Sequence, residues 1–386
     1  MHILVASRIF APEAGAAAYR LAATVKALKE AGHTVTVLTS RAPGAAKSTR
    51  GIRRWPVLRD RTGAVRGYVQ YASFDIPLFF RLLAAPRFDA VLVEPPPTTG
   101  VVVRIASRLR RRPYIYFAAD VSSDAAAGIG VHSLIVTALR AVERWVLNGA
   151  AGVLSVSSGV SGAVRNLTRG RAKVAEVGTG IDTDTFTPAA AETGAGTAVP
   201  AGSKRTFVYA GTMSEIQGAG VFVDGFLKVM DRFPDAELLM YGQGVELAEL
   251  AERAVPAGSR IRFMGVVGGS ETAAALREAV AGLASVRPGR GYDFAFATKA
   301  FASLACGAPV IYAGVGPLRD IVEQNSLGHS VDWDAGEVAE AMAAVLESPA
   351  APAERARLAA WAGENYSLRG VGSKAAEALA AAVRRA

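Results

Sequence analysis

Two stretches in which short β-rich runs alternate with longer helical patterns, separated by one segment without periodicity, constrain this chain more than any other feature. Such alternation is the signature of parallel sheets covered by helices. In the first stretch, Ile3–Ser7 reads as a buried strand and Ala17–Ala31 as a helix, with Ala22, Val25 and Leu28 at i, i+3 and i+6 until Gly32 stops it. Val35–Thr39, Ala90–Val93, Tyr114–Phe117 and Gly152–Val156 follow as strands of the same sheet, with helices over Val102–Arg110 and Leu134–Leu147. Pro188–Arg205 is dominated by Ala, Gly, Thr and Pro, the composition of a linker. Thr206–Ala210, Ala236–Tyr241, Arg260–Met264, Leu283–Arg287 and Pro309–Tyr312 then read as strands of a second sheet. Val221–Arg232, the segment from about Thr298 to Cys306 and the segment after Pro317 read as its helices, and Ala351–Ala386 as two helical stretches joined near Tyr366. A length of 386 residues suits two such domains. The expected fold class is therefore α/β, with two Rossmann-like domains facing across a cleft. Ligands of such sheets bind outside the strand C-termini, so the site is expected between the domains.

Several chemistries are disfavoured at once. The single cysteine, Cys306, leaves no intramolecular disulfide framework and no multi-Cys zinc site. The four histidines, His2, His33, His132 and His329, show no i, i+4 pair that would hold a metal. The turn after the first strand, Arg8–Gly15, lacks the G-x-G-x-x-G of a dinucleotide site, and no Walker A sequence occurs. Asp182-Thr183-Asp184 and Asp332-Trp333-Asp334 have D-x-D spacing, but their surroundings favour turns or helix caps. The N-terminus enters an apolar run directly, without the charged region and cleavage site of a signal peptide, and no membrane span is expected, so the chain reads as cytoplasmic.

Charge is unevenly distributed. The net +9 divides into +13 over Met1–Thr187 and −4 over the remainder, and Arg41–Arg112 alone holds 15 basic and 4 acidic residues. Trp55, Tyr68, Tyr71, Phe74, Phe79 and Phe80 are interleaved there with arginines including Arg53, Arg54, Arg61 and Arg66. Basic plus aromatic is an interfacial pattern, which makes Arg53, Arg54, Trp55, Arg61 and Arg66 the candidate acceptor or membrane contacts. The competing reading puts the aromatics in a core under a solvated basic face. Nucleic-acid binding ranks last, because no reader motif accompanies the charge.

The segment most informative about chemistry is Arg287–Gly316. A Gly-rich loop leads to Thr298 at a helix start, the helix ends at Cys306-Gly307, and Pro309 opens a strand. Free amides there, with Lys299 and Arg287 nearby, suit a diphosphate. An ordinary loop–helix–strand unit in which Thr298 merely caps the helix fits the local pattern equally well.

Thr298–Ile311 resembles the "PTKLFEYLACGKPVI" segment of GT-B glycosyltransferases of the GT4 family. Phe10–Gly15 followed by Arg20 resembles that family's first loop, Gly32–Thr39 its "GHEVTVLT", and Pro95–Gly100 the Pro-rich turn after its third main strand. Ser155–Val160, Gly180-Ile181-Asp182 with Phe186 and Pro188, and Tyr209-Ala210-Gly211 with Gln217-Gly218 continue the series in order. The resemblance implies retaining, metal-independent transfer of a sugar from a nucleotide diphosphate-sugar to an acceptor, without a cofactor. It assigns residues 1–187 to an acceptor-binding domain, 188–205 to a linker and 206–365 to a donor-binding domain, with 366–386 as a helix crossing back to the first. Asp120, Gly15 and Lys299 become the expected catalytic residues. Arg287, Phe294, Ala295, Thr298, Gly211, Gln217 and Gly265 become the donor contacts. With the basic segment, the expected partners are a nucleotide sugar, a glycan or lipid-linked acceptor and an anionic membrane surface, and no nucleic acid. The sequence also departs from the family. Its paired carboxylates fall at Phe294 and Ala302, and the cations of its donor loop at Thr212 and Gln217. A non-catalytic, nucleotide-sugar-binding scaffold subunit is the alternative these losses favour.

Overall fold

A computed structural model describes residues 1–386 apart from 14, 45–47, 61, 62, 64, 66, 129, 130, 189–203, 290–292, 294 and 295. Its strands are β1 His2–Ala6, β2 Thr34–Ser40, β3 Ser48–Thr49, β4 Ile52–Trp55, β5 Ala90–Val93, β6 Tyr114–Ala118, β7 Gly152–Ser155, β8 Val174–Glu176, β9 Arg205–Ala210, β10 Ala236–Tyr241, β11 Ile261–Gly265, β12 Ala281–Val286, β13 Val310–Gly314 and β14 Gly328–Val331. The α-helices are α1 Ala16–Glu30, α2 Tyr68–Leu83, α3 Pro97–Arg110, α4 Ser122–Gly128, α5 Ser133–Gly149, α6 Ser158–Thr168, α7 Gly220–Val229, α8 Leu247–Arg253, α9 Gly269–Glu278, α10 Lys299–Ala305, α11 Pro317–Gln324, α12 Ala335–Glu347, α13 Pro352–Tyr366 and α14 Leu368–Arg384. The chain divides into two compact units, one of Met1–Thr179 with Leu368–Ala386 and one of Gly180–Ser367.

Among the described residues the first unit has an eight-stranded sheet in the order β3-β4-β2-β1-β5-β6-β7-β8, parallel except for β3 against β4. Period-two alternation divides its core. Ile3 and Val5 face α1 and α14, packing with Leu21, Val25, Leu28, Ala375 and Leu379. Leu4 and Ala6 face the opposite way, onto Phe74, Leu78 and Leu82 of α2 and Val103 of α3. Burial on both faces explains why β5 and β6 read as continuous apolar runs. The basic–aromatic segment is divided by the fold. Phe74 is in the core, whereas Tyr68 and Phe80 of the same helix are exposed. Helix α2 itself, with Pro77 inside it, escapes the sequence pattern because proline there argues against a continuous helix.

The second unit has a six-stranded parallel sheet, β11-β10-β9-β12-β13-β14. Phe207, Tyr209, Leu283 and Ile311 face α7 and α12, and Val208, Leu239 and Tyr241 face α9 and α10. The boundary differs from the sequence expectation. Gly180–Pro188, expected to close the first domain, belongs with the second unit from Gly180 onward. Its own apolar residues place it there: Ile181 and Phe186 pack against the cluster around Phe301, Ile181 N donates to Tyr366 O at 2.7 Å, and Arg277 Nε donates to Thr187 O at 2.7 Å.

Candidate active site

In the second unit a cavity of about 560 Å³ opens at the end of β9. Its polar wall is the Gly211–Gln217 loop and the start of α10, and its apolar wall includes Ile181, Phe186, Val208, Leu276, Phe296 and Ala302. Backbone bonds pin the loop: Gly211 N donates to Tyr241 O, Met213 N to Gln243 O and Arg287 N to Ile216 O, at 2.9–3.0 Å. Lys299 reaches across from α10, its Nζ donating to Tyr209 Oη at 2.7 Å and to Gln217 Oε1 at 2.6 Å and lying 4.1 Å from the centre of the Tyr209 ring. Gly211 makes room for it, since a Cβ there would lie 2.8 Å from both Cε and Nζ of Lys299. Both partners of the ammonium are neutral, and desolvation pulls its pKa from 10.5 down to about 7. An anion entering the cavity would therefore restore to this group the charge that burial disfavours.

Thr298 lines the same wall and makes no side-chain cap to its helix, so the simple capping role does not hold. The helix-start amides are less free than the sequence suggests. Thr298 N, Ala300 N and Phe301 N are taken by the carbonyls of Phe296, Ala297 and Thr298. Lys299, rather than a run of open amides, is the electropositive feature.

The first unit gathers a second group at the C-terminal ends of β1, β5 and β6. Arg20, on the buried face of α1, pairs with Glu94, and both side chains are almost fully buried. Ser7 Oγ donates to Ile9 O at 2.8 Å and contacts Glu94 Oε2 at 3.3 Å, while the Arg20 guanidinium lies 4.9 Å from the centre of the Phe117 ring. Asp120 is exposed, just beyond β6. The charge of Arg20 and a hydrogen bond with Ser122 act on its carboxyl. Gly15, at the start of α1 with φ 153°, has open space where a Cβ would stand.

Two family models divide the chain: a "Glycosyl transferase 4-like domain" matches residues 15–180 and "Glycosyl transferases group 1" matches residues 204–348. The chain belongs to the GT4 family of GT-B glycosyltransferases. Phosphatidyl-myo-inositol mannosyltransferase of Mycobacterium tuberculosis (strain H37Rv) is 30% identical over 179 residues, which is 45% of this chain and 45% of that protein. The match thus spans less than half the length of the curated relative. Sucrose-phosphate synthase from Thermosynechococcus elongatus shares the fold with a TM-score of 0.69 and 18% identity, over 98% of this chain and 94% of that one. HepE from Anabaena, solved in complex with UDP and glucose, does so with a TM-score of 0.70 and 16% identity, over 98% and 99% of the two chains.

Thr212 and Gln217, where the sequence resemblance led to an expectation of cations, both line the cavity, and Lys299 brings its ammonium to Gln217 from the neighbouring helix. Ala302 presents a methyl group to the cavity, where the resemblance led to an expectation of a carboxylate, whereas Ser303 turns away and donates to Ala308 O at 3.1 Å.

Other sequence candidates are placed elsewhere. Arg287 stacks 4.5 Å from the Trp333 ring and lines a different cavity of about 360 Å³, because Gly218 lies against its Cβ on the far side of the loop. Gly265 sits at a register shift between β10 and β11, outside the cavity lining. Phe294, Ala295, Arg61 and Arg66 lie outside the described residues. Arg53 and Trp55 are exposed on β4, and Arg54 donates to Ala11 O at 2.8 Å. The D-x-D segments are local turns: Asp182 accepts from Asp184 N and Thr185 Oγ1, Asp334 caps α12, and Asp332 pairs with Arg319. Among the described residues no group of three or more His, Cys, Asp or Glu side chains could hold a metal ion.

The sequence reading missed Glu94 and the use of Arg20. The signal was present, since Arg20 falls within the buried stripe of α1 beside Leu21, Thr24, Val25 and Leu28. A charge in such a stripe demands a buried partner.

Proposed function

We propose that this chain is a retaining glycosyltransferase that moves a sugar from a nucleotide diphosphate-sugar to an anionic or lipid-linked acceptor at the cytoplasmic membrane face. The observation that carries this reading is the Lys299 ammonium, held in a cavity at the end of β9 by neutral partners alone. Departure of a nucleoside diphosphate develops negative charge, and a fixed cation in a desolvated pocket stabilises such charge better than one in water. Tyr209 and Gln217 orient the ammonium, and the Thr298 hydroxyl adds a donor. Asp120 on the first unit is the carboxylate assigned to orient the acceptor or to steady positive charge developing on the sugar. Gly15 keeps the first loop open for close approach. In this reading the ribose is held without a carboxylate at position 302.

Peripheral membrane association is supported by the exposed apolar residues Tyr68, Val69, Ile76 and Phe80 of α2, a helix that also carries Arg81. Among the described residues no helix is long and apolar enough to cross a membrane. A second reading, a nucleotide-sugar-binding subunit without activity of its own, is favoured by the Ala302 methyl in the cavity wall.

Thermal shift against a panel of nucleotide sugars, followed by donor hydrolysis and transfer assays with the stabilising compounds, separates these readings. A ligand at a hundred times its dissociation constant stabilises by about 2.7 kcal/mol. Stabilisation with turnover supports transfer, and stabilisation without turnover supports the binding subunit. Stabilisation by none of the panel removes both. Sedimentation with anionic but not neutral vesicles, weakening with salt, is expected for the membrane component, and equal sedimentation with both at low ionic strength refutes its electrostatic part.

A further inference from the structure

The first unit has a second, smaller cavity, of about 180 Å³, that the transfer reading does not use. Strand register builds it. Leu4 pairs with Thr36 and Leu38 with Arg53, so His2, Leu4, Thr36, Leu38 and Arg53 line one sheet face, and Arg81 with Ala84–Pro86 closes it at the end of α2. Its N-terminal limit is His2, the first residue of β1, whereas the Arg20–Glu94 group sits at the strand C-termini.

The electrostatics of this cavity are unbalanced. Arg81 donates through Nη2 to Arg53 O at 2.8 Å, but its Nη1 is buried without a hydrogen-bond partner. The Arg53 side chain shares the cavity, and burial, with the Arg53 charge added, pushes the Arg81 pKa down. Among the described residues neither arginine has a carboxylate partner. The nearby Asp89 carboxylate is committed to His2 N at 2.7 Å. The exposed carbonyls that would make a helix C-terminus hostile to an anion are themselves neutralised, because Arg110 donates to Leu83 O at 2.8 Å and to Ala85 O at 2.9 Å. Buried polar atoms are rarely left without a partner, and guanidiniums lining one cavity match the oxygens of a tetrahedral oxyanion.

We propose that this cavity is a phosphate-binding site in which Arg81 and Arg53 hold one phosphate group, separate from the donor cavity and independent of whether the chain transfers sugar. The group comes either from a phospholipid headgroup or from a free phosphate. Trp55 lies 5.7 Å from the Arg81 guanidinium and is 42% exposed, so it also offers a fluorescence probe.

The test is calorimetric titration of the full chain with inorganic phosphate at constant ionic strength, against chloride, for the parent and for Arg53→Gln, Arg81→Met and Lys299→Met. Saturable binding in the parent and in Lys299→Met, weakened about tenfold or more in Arg53→Gln and Arg81→Met, is expected from loss of a charge-assisted hydrogen bond. Arg53 is exposed, so its replacement keeps the test valid even if Arg81→Met misfolds. Sedimentation with phosphatidylglycerol vesicles, reversed by inorganic phosphate in the parent and reduced in Arg53→Gln, identifies the lipid source. Titratable phosphate binding without that reversal identifies the soluble one. No saturable heat in the parent, or loss of binding in Lys299→Met with none in Arg53→Gln, overturns the site.

Discussion

Lys299→Met keeps an unbranched apolar stem and deletes the charge, and its effect on stability should change sign with pH. Burial lowers the ammonium from 10.5 to about 7, so between those values the unfolded chain binds more protons than the folded one. Folding is therefore penalised at neutral pH, and the penalty disappears as pH rises toward 10.5. A displacement of that size corresponds to a ceiling of about 5 kcal/mol. Lys299 keeps some contact with solvent, which reduces the effective cost to roughly 2–3 kcal/mol. Methionine removes that cost but also two hydrogen bonds, to Tyr209 and Gln217, worth about 1 kcal/mol each. The variant should thus match or slightly exceed the parent at pH 7 and fall roughly 1–2 kcal/mol below it near pH 10. Urea denaturation of both proteins at several pH values from 7 to 10 measures the difference directly. A difference that stays constant with pH refutes the claim that Lys299 is desolvated. The same variant should lose nucleotide diphosphate affinity at pH 7, because the anion is what stabilises the protonated form.

Three further outcomes follow from the same geometry. Gly211→Ala puts a methyl 2.8 Å from Lys299 Nζ and should displace the ammonium, lowering nucleotide affinity about tenfold by calorimetry while the melting temperature changes little. Ala302→Glu places a carboxylate on the cavity wall and should tighten nucleotide binding if the ribose lies there. Weaker binding indicates a rebuilt pocket, and insensitivity in a chain that binds nucleotide sugars shows that residue 302 does not face the ribose. Arg20→Met leaves Glu94 buried without its cation and should destabilise by about 3–5 kcal/mol in urea, with partial rescue by Glu94→Gln.

Strands buried on both faces were readable because unbroken apolar runs such as Ala90–Val93 and Tyr114–Ala118 have few other uses. Edge elements were not, since β4 carries two arginines and Pro77 interrupts the pattern of α2. At the candidate site, Lys299 stood out by its place at a helix start, but its partners Tyr209 and Gln217 are 90 and 82 residues away in sequence, contacts that no local pattern encodes. Arg287 misled for the complementary reason. Nearness in sequence to Thr298 suggested a shared pocket, whereas its side chain emerges on the Trp333 side of the loop.

The composition of the first unit, Met1–Thr179 with Leu368–Ala386, also governs when it can be completed during synthesis. Helix α14 supplies Val371, Ala375, Leu379 and Ala382 to the core on β1, and Gly372 lets it lie so close to α1 that a Cβ would meet Ala23 O at 2.6 Å. Until α14 emerges from the ribosome, α1 is the other helix among the described residues that packs on that sheet face. The second unit, contiguous from Gly180 to Ser367, has all its residues available sooner. The first unit thus waits for a helix that is synthesised after the whole second unit, and a nascent chain must keep Ile3, Val5 and Ile115 from unwanted association throughout the interval.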